Sequence, residues 1–167
     1  MKKVLLTLAM VTLMAGAVAF AASDTKNLTI NATVSSTAKL TLTGGPVNFP
    51  DADPDVTSTI TSANVVTIDA KAKTGSASAI TLTCKANTDL TSGGNTIGID
   101  QISWDGADTI GTGFAASGTM SNAADIAVGG WTGSGARQGT QTYKLVNSWT
   151  YATGSYSAVV VYTLTVP

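Results

Sequence analysis

The stretch Asn27–Val34, with the sequence NLTINATV, alternates apolar and polar residues without a break. Leu28, Ile30, Ala32 and Val34 point to one side, and every residue between them is Asn or Thr. Period-two alternation predicts a half-buried β-strand, about 26 Å long at roughly 3.3 Å per residue. Because this strand lies near the start of the chain, it can leave its own domain. We therefore expect it to join one subunit to the next.

The residues before this strand have the pattern of a secretory signal. Lys2 and Lys3 supply a positive start, residues 4–18 are almost entirely apolar, and small residues at Ala19 and Ala21 suit cleavage before Ala22. This pattern predicts a signal peptide, and its apolar run is too short for a membrane-spanning helix. We therefore expect an exported protein that is not an integral membrane protein.

Three segments follow from these boundaries. Residues 1–21 are the expected signal peptide, residues 22–35 an N-terminal extension, and residues 36–167 one domain large enough to enclose a core. All ten acidic residues are Asp, and the net charge is −1 at pH 7. No basic patch is present in the sequence, so we expect no nucleic-acid partner.

The domain consists of further alternating runs separated by Gly, Pro and Asp. The clearest lie at residues 66–72 and 80–85, and a short strand is expected at Val47 and Phe49. Residues 92–95, SGGN, predict a hairpin turn whose returning strand extends through Ile102 and Trp104. Between residues 106 and 139 we expect only short strands and long loops. With no amphipathic helical window, these features predict an all-β sandwich.

The C-terminal run predicts a long strand. Its inward positions are Tyr156, Ala158, Val160, Tyr162, Leu164 and Val166. Val159 and Val161 are apolar on the opposite face as well, so we expect this strand to be covered on both sides. A preceding strand is expected to begin at Tyr143.

The composition argues against catalysis and against common metal sites. The chain has no His, which excludes Ser-His-Asp and Cys-His arrangements and His-ligated zinc. Its single cysteine, Cys84, cannot form an intrachain disulfide, and its place in the alternation predicts a buried thiol. Asp105 and Asp108 are the kind of pair that glycoside hydrolysis needs, but we expect loop carboxylates. We therefore expect no enzyme and no cofactor.

One acidic loop resembles the start of a calcium site. Asp51, Asp53 and Asp55 have the spacing of the first three calcium ligands, but Val56 stands where Gly is needed and Ser62 where a bidentate acid belongs. We expect a solvated turn, with calcium as the alternative. The three tryptophans are expected to be packing residues, with a sugar-stacking surface as the alternative.

Residues 26–34, KNLTINATV, resemble the mature N-terminus of major fimbrial subunits of the alternate chaperone–usher (colonisation-factor) class. Residues 154–160, GSYSAVV, are similar to the C-terminal strand of that family, and residues 102–106, ISWDG, give a weaker match. More distantly, the chain resembles spore coat protein U-like pilins around Val47–Phe49 and at Cys84, although it lacks the second cysteine that those pilins usually carry.

The resemblance implies an immunoglobulin-like sandwich that lacks one strand and assembles by donor-strand complementation. Leu28, Ile30, Ala32 and Val34 would form the donor strand. The acceptor groove, also the chaperone-binding strand, would contain Tyr156, Ala158, Val160, Tyr162 and Leu164. The implied partners are further copies in a fibre, a periplasmic chaperone, an outer-membrane usher and a possible host or surface glycan receptor. The implied location is an extracellular fimbria at the cell surface, reached through the periplasm, with a role in adhesion or biofilm.

Two other interpretations remain open at this point. The C-terminal residues 154–167 resemble the end of WxL-type cell-surface domains, with Tyr162 replacing the tryptophan. That resemblance implies a wall-associated module. The second alternative is a secreted carbohydrate-binding sandwich.

Overall fold

The computed structural model describes residues 24–167 and divides the chain into two units, Met1–Thr33 and Val34–Pro167. In the first unit the described residues, 24–33, have no regular secondary structure and are exposed. Asp24 and Lys26 form an ion pair there, with 3.1 Å between carboxylate oxygen and Nζ. The expected signal peptide lies outside the described residues. Within residues 24–167 no helix has both the length and the apolar character needed to cross a membrane.

The second unit is all-β, as the sequence predicts, and all its strand pairs are antiparallel. Its strands are β1 Thr37–Thr43, β2 Thr59–Lys73, β3 Ala79–Ala86, β4 Leu90–Ser92, β5 Asn95–Ile97, β6 Ile102–Ile110, β7 Ser117–Thr119, β8 Ile126–Thr132, β9 Gly135–Val146 and β10 Val160–Thr165. A five-stranded sheet has the order β1-β2-β9-β6-β7, and a three-stranded sheet has the order β10-β3-β8. Strands β4 and β5 form the predicted hairpin.

Both larger sheets contribute to one hydrophobic core. Strand β2 supplies Ile68, strand β3 supplies Leu82, and strand β6 supplies Trp104, all of which are fully buried. The alternation in β2 and β3 places inward the apolar residues that the sequence predicts, because successive side chains of a strand point to opposite faces. The fold is therefore sandwich-like.

Gly118 shows how closely this core is packed. It lies opposite Trp104 in the pairing of β6 with β7, and a Cβ atom at this position would clash with the indole ring. The largest side chain of the core thus lies flat against the backbone of a neighbouring strand, where only Gly fits.

The sequence misplaces several elements of the fold. Residues 47–49 form no strand, because Pro46 and Pro50 flank them and Asn48 instead hydrogen-bonds to the irregular stretch of β2 at residues 63–64. Strand β6 does not extend β5; it follows a 3₁₀ turn at Ile99–Gln101 and belongs to the five-stranded sheet. Strand β9 begins at Gly135, well before Tyr143, since its Gly- and Gln-rich first half pairs with β2 and β6 despite its weak apolar pattern.

Candidate functional site

Strands β1 and β10 are edge strands on different sheets. Within the described residues, β1 pairs with β2 alone and β10 pairs with β3 alone. One side of each strand therefore offers main-chain N–H and C=O groups that no neighbouring strand uses. An edge of this kind is a template for pairing with another chain.

The inward face of β10 is apolar but incompletely covered. Val160, Tyr162 and Leu164 share this face, and Leu164 lies opposite Leu82 in the register with β3. Leu82 is fully buried, whereas the three residues of β10 are only half-buried. Strand β3 is covered because it has a neighbour on each side, and β10 lacks the second neighbour.

The inward face of β1 has the same property. Leu40 and Leu42 lie opposite Ala70 and Ile68, which are completely buried. Leu40 is nevertheless only half-buried, and Leu42 is 43% exposed. Two edge strands, one from each sheet, thus leave part of the core open.

Hydrogen bonds connect the start of β1 with the end of β10. The hydroxyl groups of Ser36 and Thr74 both donate to the carbonyl oxygen of Pro167, each at 2.8 Å. We call the surface formed by the inward apolar residues of the two edge strands the β1–β10 edge; it comprises Leu40, Leu42, Val160, Tyr162 and Leu164.

The predicted acceptor strand is shorter than its sequence pattern. Tyr156 and Ala158 precede β10; both are half-buried, and Ser157 between them forms an isolated bridge with Thr91. Val159 and Val161 are exposed, so the expectation that both faces of this strand are covered is wrong. The outer face of β10 is uncovered because the fold has only two layers, and the face of each sheet that points away from the other meets solvent.

A buried polar cluster lies under Tyr162. The hydroxyl groups of Tyr162 and Tyr143 contact each other, and both donate to the side-chain oxygen of Gln141, which is 1% exposed. Burial raises the pKa of Tyr143 to about 12, and it raises the pKa of Tyr162 further, with a contribution from Tyr143. The cluster links β10 across the core to β9. Sequence reasoning missed Gln141, because a Gln within a polar run resembles a surface residue.

The predicted donor residues are fully available to solvent. Leu28 is 85% exposed, Ile30 is 84% exposed and Val34 is 75% exposed, and Ala32 is exposed as well. The half-buried strand expected from the alternation is not formed within this chain, since none of residues 24–36 belongs to a strand. Large apolar side chains at this exposure are unusual when they occur together in one segment.

The acidic candidates do not converge on a site. Asp53 accepts a hydrogen bond from the backbone N–H of Asp55 at 2.9 Å, which is a turn interaction, and Asp55 accepts one from Trp149. No group of three or more His, Cys, Asp or Glu residues within residues 24–167 is placed to hold a metal ion. Asp105 and Asp108 lie in strand β6, so the expectation of loop carboxylates is wrong. Asp105 forms an ion pair with Lys144, and Asp108 accepts a hydrogen bond from the N–H of Phe114.

The thiol of Cys84 is buried, as predicted. Its sulfur lies 3.8 Å from that of Met120, and burial raises the pKa of the thiol to about 11.

The three tryptophans have different surroundings. Trp104 is a core residue, and Trp149 is 68% exposed. Trp131 is half-buried, and the guanidinium group of Arg137 lies 5.7 Å from the centre of its ring.

Comparison with protein-family models gives no match, and neither curated proteins nor solved structures give one.

Proposed function

We propose that this chain is the structural subunit of an extracellular fibre and polymerises by donating residues 27–34 to the β1–β10 edge of the next copy. One observation carries the proposal: the same chain has an apolar sheet edge with an open side and a separate segment whose apolar residues are solvent-exposed. In this proposal the second unit is an incomplete immunoglobulin-like sandwich, and the donated strand completes it.

The two surfaces match in length and period. Strand β10 has six residues, β1 has seven, and the segment of residues 27–34 spans a similar length. Both edge strands present an apolar residue at every second position, as the segment does. An added strand gains main-chain hydrogen bonds from the edge and places alternate side chains in pockets between the sheets.

Burial of the segment's apolar residues offsets much of the cost of association. Full burial of a large apolar side chain stabilises by about 1.5–3 kcal/mol. Three such residues, Leu28, Ile30 and Val34, therefore contribute about 4.5–9 kcal/mol before hydrogen bonds are counted. This gain offsets much of the estimated cost of about 4–15 kcal/mol for lost translational and rotational freedom.

Local backbone geometry favours donation to another copy over pairing with the chain's own β1. A hairpin between residues 27–34 and β1 would have to turn at Ser35 and Ser36. Tight two-residue hairpins need left-handed backbone, which Gly, Asn and Asp supply. Ser35 and Ser36 are none of these residue types, so a tight hairpin at this point is disfavoured.

An interface between a segment and a different surface is heterologous, and it generates an open filament when the rotation does not close. A subunit with an open apolar edge is prone to aggregate before assembly. The proposal therefore includes a periplasmic chaperone that covers β10 and an outer-membrane usher that exchanges it for the incoming segment. It also includes export by the predicted signal peptide to the cell surface.

The test compares two substitutions that add the same charge to opposite faces of the segment. Ile30→Asp places a carboxylate among the apolar residues, whereas Thr29→Asp places it on the polar face. We expect the chain beginning at Ala22 and its Thr29→Asp variant to form fibres, seen by electron microscopy and sedimentation. The Ile30→Asp variant, kept dilute to limit aggregation through its open edge, should remain monomeric.

The monomeric variant then provides the binding assay. A synthetic peptide of residues 24–36 should raise the melting temperature of the Ile30→Asp chain, while the same peptide carrying Ile30→Asp should not. Fibres formed by Ile30→Asp as readily as by the parent chain would refute the proposal. A melting temperature that ignores the unaltered peptide would refute it as well.

A further inference from the structure

Two loops at one end of the second unit are fastened to each other by hydrogen bonds. The backbone N–H of Asn147 donates to the carbonyl of Ser58 at 2.9 Å, and its side-chain amide donates to the carbonyls of Ala52 and Thr57 at 2.9 and 3.0 Å. The loop of residues 51–58 and the loop that follows β9 therefore form one fixed surface.

Trp149 lies on this surface with its ring in solvent. Its indole N–H donates to a carboxylate oxygen of Asp55 at 3.0 Å, while the side chain remains 68% exposed. A tryptophan normally buries most of its large apolar surface. Here the chain fixes the orientation of the ring without covering it, which is the arrangement that a stacking ligand requires.

Polar residues flank Trp149 in the chain and in the adjoining loop. The hydroxyl groups of Ser148 and Thr150, on either side of Trp149, share a hydrogen bond of 2.8 Å, and the N–H of Thr150 donates to Ser148 Oγ at 3.1 Å. Asp53 lies beside Asp55 through the turn bond between them. An aromatic face with hydroxyl and carboxylate groups on neighbouring residues can stack on the C–H face of a sugar and hydrogen-bond to its hydroxyl groups.

We propose that Trp149, with Asp55, Ser148 and Thr150, binds a neutral hexopyranoside. The carboxylates of Asp51, Asp53 and Asp55 in the adjoining loop disfavour sialylated or sulfated sugars, because like charges repel. Val56 is the other large apolar residue exposed on these two loops. Trp149 and Val56 together form a far smaller apolar patch than a stable protein–protein interface, which buries on the order of 1,200 Å² or more. This inference does not depend on the fibre proposal.

The test begins with the chain from Ala22 on an array of glucose, galactose, mannose and N-acetylglucosamine oligosaccharides. Sialylated and sulfated versions of the same sugars are included. The assay is repeated with the monomeric Ile30→Asp chain, so that multivalent attachment does not decide the result. The best-bound sugar is then titrated while tryptophan fluorescence is recorded, because Trp149 is the most exposed of the three fluorophores.

We expect neutral sugars to bind and to shift the emission to shorter wavelength. Trp149→Ala should weaken binding by at least about tenfold, whereas Trp149→Phe, which keeps an aromatic face, should retain part of it. An unchanged melting temperature of Trp149→Ala would show that the fold is intact.

Three outcomes would overturn the inference. The array could retain no neutral sugar, it could retain only the anionic sugars, or Trp149→Ala could bind sugars as well as the parent. If Trp149→Ala or Val56→Ser instead altered self-association in sedimentation while no sugar bound, the surface would be a contact between proteins.

Discussion

Leu164→Ala should cost little stability in the isolated subunit and considerably more once the donated strand is bound. Leu164 and Leu82 lie opposite each other in the pairing of β10 with β3, so two leucine side chains occupy adjacent positions on one face of the sheet. Leu82 is fully buried, and Leu164 is half-buried. Leu164→Ala and the matched substitution Leu82→Ala therefore differ mainly in how well the substituted side chain is covered.

The magnitudes follow from this difference in coverage. Truncating a fully buried Leu to Ala costs about 2–5 kcal/mol, which is the expectation for Leu82→Ala. A half-covered Leu loses roughly half of the transfer free energy and leaves little closed cavity, so Leu164→Ala should cost about 1–2 kcal/mol. When the strand covers Leu164, its cost should rise toward that of Leu82→Ala.

The assay is urea unfolding of the monomeric Ile30→Asp chain with and without a saturating amount of the peptide of residues 24–36. The free energy of unfolding is obtained from the linear dependence on urea. By linkage, the extra cost of Leu164→Ala in the complex equals its loss of peptide affinity. An increase of about 1.4 kcal/mol would correspond to a tenfold higher dissociation constant.

Leu82→Ala is the matched control, because its site is covered in either state and its cost should not change with the peptide. If the cost of Leu164→Ala were equally unaffected, the incoming strand would not lie over β10. The β1–β10 edge would then be the wrong acceptor surface, whatever the effect of Ile30→Asp on assembly.

Two further predictions concern the core. Because burial raises the pKa of Tyr143 to about 12 and that of Cys84 to about 11, both groups ionise first in the unfolded chain. Their contribution to stability should therefore be fully present below about pH 9 and fall as the pH rises toward 12, by up to about 1.4 kcal/mol per pH unit for each group. Measured by urea unfolding, the free energy of unfolding of Tyr143→Phe should fall less between pH 8 and pH 11 than that of the parent chain. An equal fall in the two chains would contradict the assignment. Gly118→Ala forces a methyl group against Trp104 and should lower the free energy of unfolding by about 1–3 kcal/mol. Gly94→Ala is the control, because its added atom contacts no other residue. The near-ultraviolet circular dichroism spectrum should change for Gly118→Ala alone.

The sequence predicts most of the second unit where alternation is strong. In β2 and β3 the inward residues are apolar and β-branched or aliphatic, so the period-two pattern identifies both the strand and its buried face. The hairpin at residues 92–95 is predicted because two glycines occupy its turn. The same pattern does not reveal the start of strand β9, since the buried positions before Tyr143 are occupied by a glycine and by Gln141, where apolar residues are expected.

For the candidate site too, the sequence predicts the features that depend on local pattern and misses those that depend on long-range pairing. The sequence identifies the inward residues of β10, because their pattern is local, but it does not reveal that β10 is an edge strand with an exposed outer face. Which strands neighbour β10 depends on long-range pairing, and the exposure of Val161 follows from that pairing alone. The hydrogen bond between Trp149 and Asp55 joins residues far apart in sequence and could not be anticipated either.

The pairing of β1 with β2 has a mechanical consequence. Strand β1 follows directly after the exposed segment and is held to β2 by seven consecutive residue pairs without a register shift. A pull exerted along β1 from its N-terminal end loads these pairs side by side in shear, so that many hydrogen bonds must rupture at once. A pull across the strand would instead peel them away singly. The first ordered element after the segment is therefore built to resist tension along its own axis.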